Sequence, residues 1–318
     1  MRIAFVFPGQ GSQSVGMLNT IENHCLVGDL MERADMALDF DLTGLIARGP
    51  AEELALTVNT QPAVLLTSYA LFALWEHYRG PKPVCMAGHS LGEYTALTAA
   101  KAMDFGVALR CVRYRAQVMQ STVPVGVGGM AAILGLTDED VAQVVEKARA
   151  FGVIEAVNFN APGQVVVAGE IAAIDQVGEI AKEAGARRTM VLPVSAPFHS
   201  SLLKPVAEKL AAYLAKTPIE VPSVPVLSNV DASPEMTPEA IRHGLALQAC
   251  SPVQWVKTIE AMKAMGVTDI VEIGPGKVLT TMLKRTDKTI RGHNVFDEAS
   301  LQSTLDTMMA LEKEEAEQ

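Results

Sequence analysis

Cysteine is scarce in this chain, four residues in 318, and no two form a C-x-x-C pair. Cys25, Cys85, Cys111 and Cys250 suggest neither a disulfide framework nor a thiolate metal site, and they suit a reducing cytoplasm. Positive charge is also in deficit: Lys and Arg number 26 against 36 Asp and Glu, a formal net charge of −10. That sign is wrong for neutralising a phosphate backbone, so nucleic acid is excluded as a partner. Charged residues make up 19% and apolar residues 49%, which rules out a disordered chain and provides for a large core. No run approaches the roughly 18 apolar residues of a membrane span. The first apolar run ends at Pro8, short of the roughly 7–15 residues of a signal-peptide core, and reads as a buried strand. No extended apolar face stands out, so a monomer is expected.

What is present is an alternation of β-rich and helical patterns. Strands are expected at Ile3–Phe7, Val84–Ala87, Thr189–Val194, Val224–Leu227 and Asp269–Ile273, with amphipathic helices such as Gln61–Tyr78 and Pro205–Lys216 between them. This order implies an α/β fold with a mostly parallel sheet. One segment breaks the rhythm. Strands at Met130–Leu136, Gly152–Asn158, Val165–Gly169 and Arg187–Leu192, with helices opening at Thr137 and carrying Ile171, Ile174, Val177, Ala181 and Ala184 on one face, give β-α-β-β-α-β. That is the ferredoxin-like split unit. Two bodies are expected, residues 1–122 with 196–318 and an inserted 123–195; Glu312–Gln318 reads as a frayed, solvated end.

Gly88-His89-Ser90-Leu91-Gly92 matches G-x-S-x-G, the nucleophile elbow, with a strand before it and helix formers after it. Ser90 is the candidate nucleophile and needs a base within reach. His89 is adjacent but diverges from Ser90 on a sharp turn; His24, His77 and His243 read as surface residues, and His293 sits in a polar segment. His199 ends Val194–His199, just past a strand, where α/β sheets place their sites. No Asp or Glu between Ser90 and His199 looks placed to orient the ring, which favours a Ser–His dyad held by a neutral group.

Arg115 falls on the apolar stripe Phe105, Ala108, Val112 and Met119 of a helix from Asp104 to Gln120. A buried guanidinium needs an anionic partner: either an internal carboxylate, or a substrate carboxylate gripped by the fork. A packed stem with the head reaching out to solvent is the third option. The Gly-rich turn Phe7–Gln13 lacks the third small residue of G-x-G-x-x-G, which disfavours a dinucleotide, and suits an oxyanion hole joined by the amide of Leu91. Gly126–Ala131 matches G-x-G-x-x-A but opens a strand, so it is a false positive.

The blocks Phe5–Gln13, Gly88–Tyr94, Val157–Gln164, Gln248–Trp255 and Glu272–Lys277, in this order along nearly the whole chain, resemble the malonyl-CoA:acyl carrier protein transacylase family. The resemblance implies an α/β-hydrolase-like core with a ferredoxin-like subdomain, and a ping-pong acyltransferase of fatty-acid synthesis. It implies malonyl-CoA as substrate, acyl carrier protein as partner, and neither metal nor bound cofactor. Carried over, Ser90 is acylated, His199 is its base, and the Gln10 and Leu91 amides form the oxyanion hole. Arg115 binds the malonyl carboxylate and the Gln248 carbonyl orients His199. Phe198 stands where some relatives carry a smaller polar residue. A serine thioesterase or carboxylesterase using water, and a non-catalytic subunit, are the rival readings. Carrier proteins are acidic as a class, so docking on a chain of this charge calls for a local basic patch. Arg187, Arg188, Lys284 and Arg285, with Lys204 and Lys277, are the candidates.

Overall fold

The computed structural model describes residues 1–124, 126–194 and 196–316. The chain opens with β1 (Ile3–Phe7) and four helices, α1 (Cys25–Leu38), α2 (Leu42–Arg48), α3 (Ala51–Leu54) and α4 (Thr57–His77). β2 (Cys85–Gly88) leads into α5 (Gly92–Ala99) and α6 (Phe105–Thr122). Next come β3 (Gly128–Leu134), α7 (Asp138–Ala148), β4 (Ile154–Ala161), β5 (Gln164–Glu170), α8 (Ile171–Glu183) and β6 (Arg188–Val191). The remainder is α9 (Lys204–Leu214), β7 (Val226–Leu227), β8 (Pro234–Glu235), α10 (Pro238–Gln248), α11 (Trp255–Ala264), β9 (Asp269–Ile273), α12 (Val278–Thr286), β10 (Arg291–Val295) and α13 (Glu298–Ala316).

Two sheets result. The larger runs β10-β9-β1-β2-β7-β8, parallel except for β8. Its centre, β1, is buried at all five positions, as expected of a parallel strand covered on both faces. Phe7 pairs with Gly88, so the loops after β1 and β2 emerge side by side at the carboxyl edge. The smaller sheet, β4-β5-β3-β6, is wholly antiparallel. Along β3 the faces alternate: Ala131 and Ile133 pack with Val141, Val144, Ile174 and Val177 of α7 and α8, whereas Met130 and Ala132 turn to the main core.

Differences from the expected elements have local causes. β7 is two residues rather than four because Pro222 and Pro225 have no N–H to give a ladder. β4 continues through Asn160 and Ala161, which leaves only Pro162-Gly163 as the turn. β6 ends at Val191 and belongs to the smaller sheet. The polar β10 is a sheet edge whose Arg291 and His293 reach Asp269. α13 continues through the expected tail to Ala316, while Glu317 and Gln318 lie outside the described residues.

Candidate active site

The elbow is built by collisions that only glycine avoids. A Cβ on Gly88 would strike the backbone of Gly92, and one on Gly92 would strike the carbonyl of Phe7. Between them Ser90 is held at φ +51°, a left-handed conformation that L-residues pay to adopt and that recurs at catalytic turns. Asn229 secures it: its Oδ1 accepts from the Ser90 N–H at 2.7 Å while its Nδ2 donates to the Gly88 carbonyl at 2.6 Å.

His199 is also left-handed, at φ +65°, on the loop between β6 and α9. Its Nε2 lies 2.7 Å from Ser90 Oγ and its Nδ1 2.9 Å from the Gln248 carbonyl at the end of α10. A carbonyl only accepts, so the proton sits on Nδ1 and Nε2 is free to accept from Ser90. Burial, reinforced by Arg115, depresses the His199 pKa to about 3; the ring is neutral at pH 7.

Arg115 on α6 is 2% exposed. Its Nη1 donates to Gln61 Oε1 at 2.9 Å, and its Nη2 donates to Ser90 Oγ at 3.0 Å and to Gln248 Oε1 at 2.9 Å. The internal ion pair that its burial suggested is not made among the described residues, and Nε has no partner. Burial lowers its pKa, yet a guanidinium stays charged. A full positive charge thus stands beside Ser90, with hydrogen bonds only to uncharged oxygens among the described residues.

The cleft beside these groups, about 230 Å3, is lined by both polar and apolar residues. Gln10, Ser90, Leu91, Arg115 and His199 are in the lining; Met130, Val166, Leu192, Val194, Phe198 and Met282 supply apolar surface. The N–H groups of Gln10 and Leu91 donate to no acceptor among the described residues, whereas Gly11 N–H is satisfied by Gln13 Oε1. The Gln10 side chain turns away to Thr57. Two unspent donors at the rim of a nucleophile's cleft suit a developing oxyanion.

Sequence reasoning missed four residues. Asn229 is one, and Gln61 and Asn160 are two more; Asn160 Oδ1 meets His89 Nε2 at 2.8 Å and ties the smaller sheet to the elbow. The fourth is Glu93, fully buried, whose Oε2 accepts from Gln248 Nε2 at 2.9 Å and from Asn229 N–H at 3.0 Å. Its one signal in the sequence was to be the sole charged residue of the helix Gly92–Ala99 that follows the elbow. Burial pushes Glu93 up to about 7. Glu235, buried nearby, is pushed higher still by burial and then by Glu93 and Asp231, so Glu93 is the first of the two to ionise.

Of the other histidines, His24 caps α1 through Leu26 N–H, and His77 and His243 are exposed. The candidate docking residues are all exposed. Lys277 precedes α12, which carries Lys284 and Arg285 and turns Val278, Leu279 and Met282 into the cleft. Arg285 bridges to Gln164 of β5 at 3.2 Å. Arg187 and Arg188 lie at the start of β6, and Lys204 opens α9.

An acyl transferase domain model matches residues 4–308. The malonyl CoA-acyl carrier protein transacylase of Escherichia coli (strain K12) is 47% identical over 306 residues, covering 96% of this chain and 99% of that protein. The crystal structure of the acyl-carrier-protein S-malonyltransferase from Burkholderia pseudomallei 1710b is 54% identical with a TM-score of 0.94, covering 96% of this chain and all of that one. A malonyl-transacylase solved in complex with its type II PKS acyl-carrier protein is 43% identical with a TM-score of 0.95, covering 96% of this chain and all of that one. The chain belongs to the malonyl-CoA:acyl carrier protein transacylase family of acyl transferases.

Proposed function

We propose that the protein moves the malonyl group of malonyl-CoA to the phosphopantetheine thiol of an acyl carrier protein through a malonyl-serine, in fatty-acid synthesis. One observation carries the reading. Ser90 Oγ lies within hydrogen-bond distance of both a neutral imidazole and a buried guanidinium, which supports reading them as the base and the carboxylate receptor of one nucleophile.

The steps follow from the geometry. His199 Nε2 takes the Ser90 proton as Oγ attacks the thioester carbonyl, and the carbonyl oxygen, now anionic, is met by the Gln10 and Leu91 N–H groups. One such donor contributes ~3–4 kcal/mol to the transition state. The C–S bond breaks and His199 returns the proton to the departing CoA sulfur. The carrier thiol then gives its proton to His199 and attacks the ester, and Oγ leaves with that proton. Nη2 of Arg115, now engaged with Ser90, and the unpartnered Nε are the donors available to a malonyl carboxylate. A hydrolase reading shares the dyad but has no use for a cation placed on the nucleophile.

The same reading takes residues 1–122 with 196–318 as an α/β-hydrolase-like catalytic body and 123–195 as a ferredoxin-like subdomain, supported by the order β4-β5-β3-β6. It takes the protein as a cytoplasmic monomer without a bound cofactor. Among the described residues no helix is long and apolar enough to cross a membrane, and the exposed large apolar side chains are spread from Val15 to Met309. Arg187, Arg188, Lys284 and Arg285 are the docking surface for the carrier, with Lys277 and Lys204 beside them. The test is intact mass after mixing with malonyl-CoA. A malonyl adduct mapped to Ser90 and absent from Ser90→Ala is expected; rapid release of free malonate with no transfer to a thiol acceptor would favour the hydrolase.

A further inference from the structure

Beneath the dyad lies a chain of buried polar groups that no step above uses. Arg115 Nη2 donates to Gln248 Oε1, and Gln248 Nε2 donates both to the Ser90 carbonyl, at 2.9 Å, and to Glu93 Oε2. The same Glu93 oxygen receives the N–H of Asn229, whose side chain holds the elbow. We infer that Glu93 is a positioning residue: through Gln248 it aims Arg115 at the acyl carboxylate, and through Asn229 it steadies the turn that presents Ser90.

The chemistry of the three side chains explains why a carboxylate occupies the end of the chain. An amide presents a donor at one end and an acceptor at the other, so Gln248 has two orientations. A carboxylate accepts and never donates. Facing Glu93, Gln248 must turn its Nε2 inward, and its Oε1 is thereby turned to the guanidinium. A second amide at position 93 would weaken that preference, because glutamine offers a donor as readily as an acceptor and leaves the Ser90 carbonyl as the remaining group that only accepts from Nε2. Gln248 would then be freer to flip and set Nε2 against Arg115, donor against donor. The guanidinium would lose an anchor on the side from which it serves the substrate.

Glu93 is well placed to be read by Arg115 rather than by its other neighbours. Glu235 faces it from β8, with Oε1 close against Gly244 of α10, and Asp231 acts on Glu235 from behind. Neither donates to Glu93, whose Oε1 has no partner. Among the described residues the cation that acts on it is Arg115.

The inference rests on the assignment of Ser90 and Arg115 above, and its test separates the two. Acylation of Ser90 is followed by quenched mass spectrometry with malonyl-CoA and, separately, acetyl-CoA, which carries no carboxylate for Arg115. Glu93→Gln keeps the side-chain volume but, because one oxygen serves both Asn229 and Gln248, replaces a group that only accepts with one that can also turn a donor towards them. It should lower kcat/KM for malonyl-CoA about tenfold and leave the slow acetyl reaction within twofold. Equal losses with both donors would reduce Glu93 to a structural support of the elbow, and wild-type behaviour with both would remove it from the site; either overturns the inference. Absence of any Ser90 adduct in the wild type would overturn the underlying assignment instead. Should Glu93→Gln not fold, Gln248→Leu keeps the backbone carbonyl that holds His199 and cuts the same link. Both donors lose the contact of Gln248 with the Ser90 carbonyl there, but kcat/KM for malonyl-CoA should fall several-fold further than for acetyl-CoA, and an equal loss or none overturns the inference.

Discussion

Two charged clusters sit at opposite places in the larger sheet and are built on different rules. At its edge, Asp269 receives both Nε and Nη2 of Arg291, at 2.8 and 2.7 Å, together with Thr268 Oγ1 at 2.7 Å and His293 Nε2 at 3.0 Å. Burial alone would raise this carboxyl, but those hydrogen bonds outweigh it and hold its pKa at about 2. Beyond the strand ends, Arg115 and Glu93 are joined only through the amide of Gln248, and each keeps a polar atom without a partner. The edge cluster spends every charge on the fold. The central one holds a charge in reserve, which is the condition for recognising a ligand of opposite sign.

The largest expected effect comes from the reserved charge. Arg115→Ala should cut kcat/KM for malonyl-CoA at least about a hundredfold, the loss of ~3 kcal/mol in a charge-assisted contact, and should narrow the preference over acetyl-CoA. If it unfolded the protein while leaving donor preference intact in the folded fraction, the two clusters would be alike. Asp269→Asn is the mirror case. Denaturant titration should show a loss of about 2 kcal/mol, with malonyl transfer at its wild-type rate; a fall in kcat would break the contrast from the other side.

Acid offers a third lever. His199 has a folded pKa near 3 against an ordinary 6.5, so below pH 6.5 the unfolded chain binds a proton that the folded one refuses. Stability should fall as pH drops from 6.5 towards 3, by about 2 kcal/mol at pH 5 from this group. His199→Gln should remove that part of the acid sensitivity in thermal melts at pH 7, 6 and 5; parallel melting curves would show that the ring is not held neutral. Asp269 loses its contribution in the same direction but in a lower window, from about pH 3.8 down to 2, which separates the two clusters along one axis. The smallest effect concerns the surface. Reversing Arg187 and Arg188 to Glu should raise KM for the carrier several-fold and leave self-acylation unchanged; equal change in both steps would dismiss that patch.

Much of this arrangement was legible in the sequence, for identifiable reasons. G-x-S-x-G between a strand and a helix announces its own geometry, because the collisions that make Gly88 and Gly92 obligatory are local. The stripe position of Arg115 follows from helical periodicity, and β1 from an unbroken apolar run. What escaped depended on distant chain. Asn229 reaches Ser90 across 139 positions, and Gln61 reaches Arg115 from another helix. The role of Asp269 needed β10, whose Arg291-Gly292-His293-Asn294 has no strand-like pattern because an edge strand can face water and partners of its own. Glu93 was in plain view within the elbow's helix, but a buried carboxylate declares its purpose only when its two donors are known.

The seam between the two sheets has a consequence for how such enzymes diversify. Ser90, His199 and Arg115, the proposed nucleophile, base and carboxylate receptor, lie on elements of the larger sheet's layer, whereas Met130, Val166, Leu192 and Val194 enter the cleft from the smaller sheet and the chain leaving it. Part of the apolar wall and the dyad therefore come from different stretches of the chain, whereas Arg115, the proposed receptor for the acyl carboxylate, stands with the dyad. Residues that bulge or recede along one wall can change the length and branching of the group admitted, without disturbing the elbow across from them. Selection can retune the cargo while the chemistry stands still.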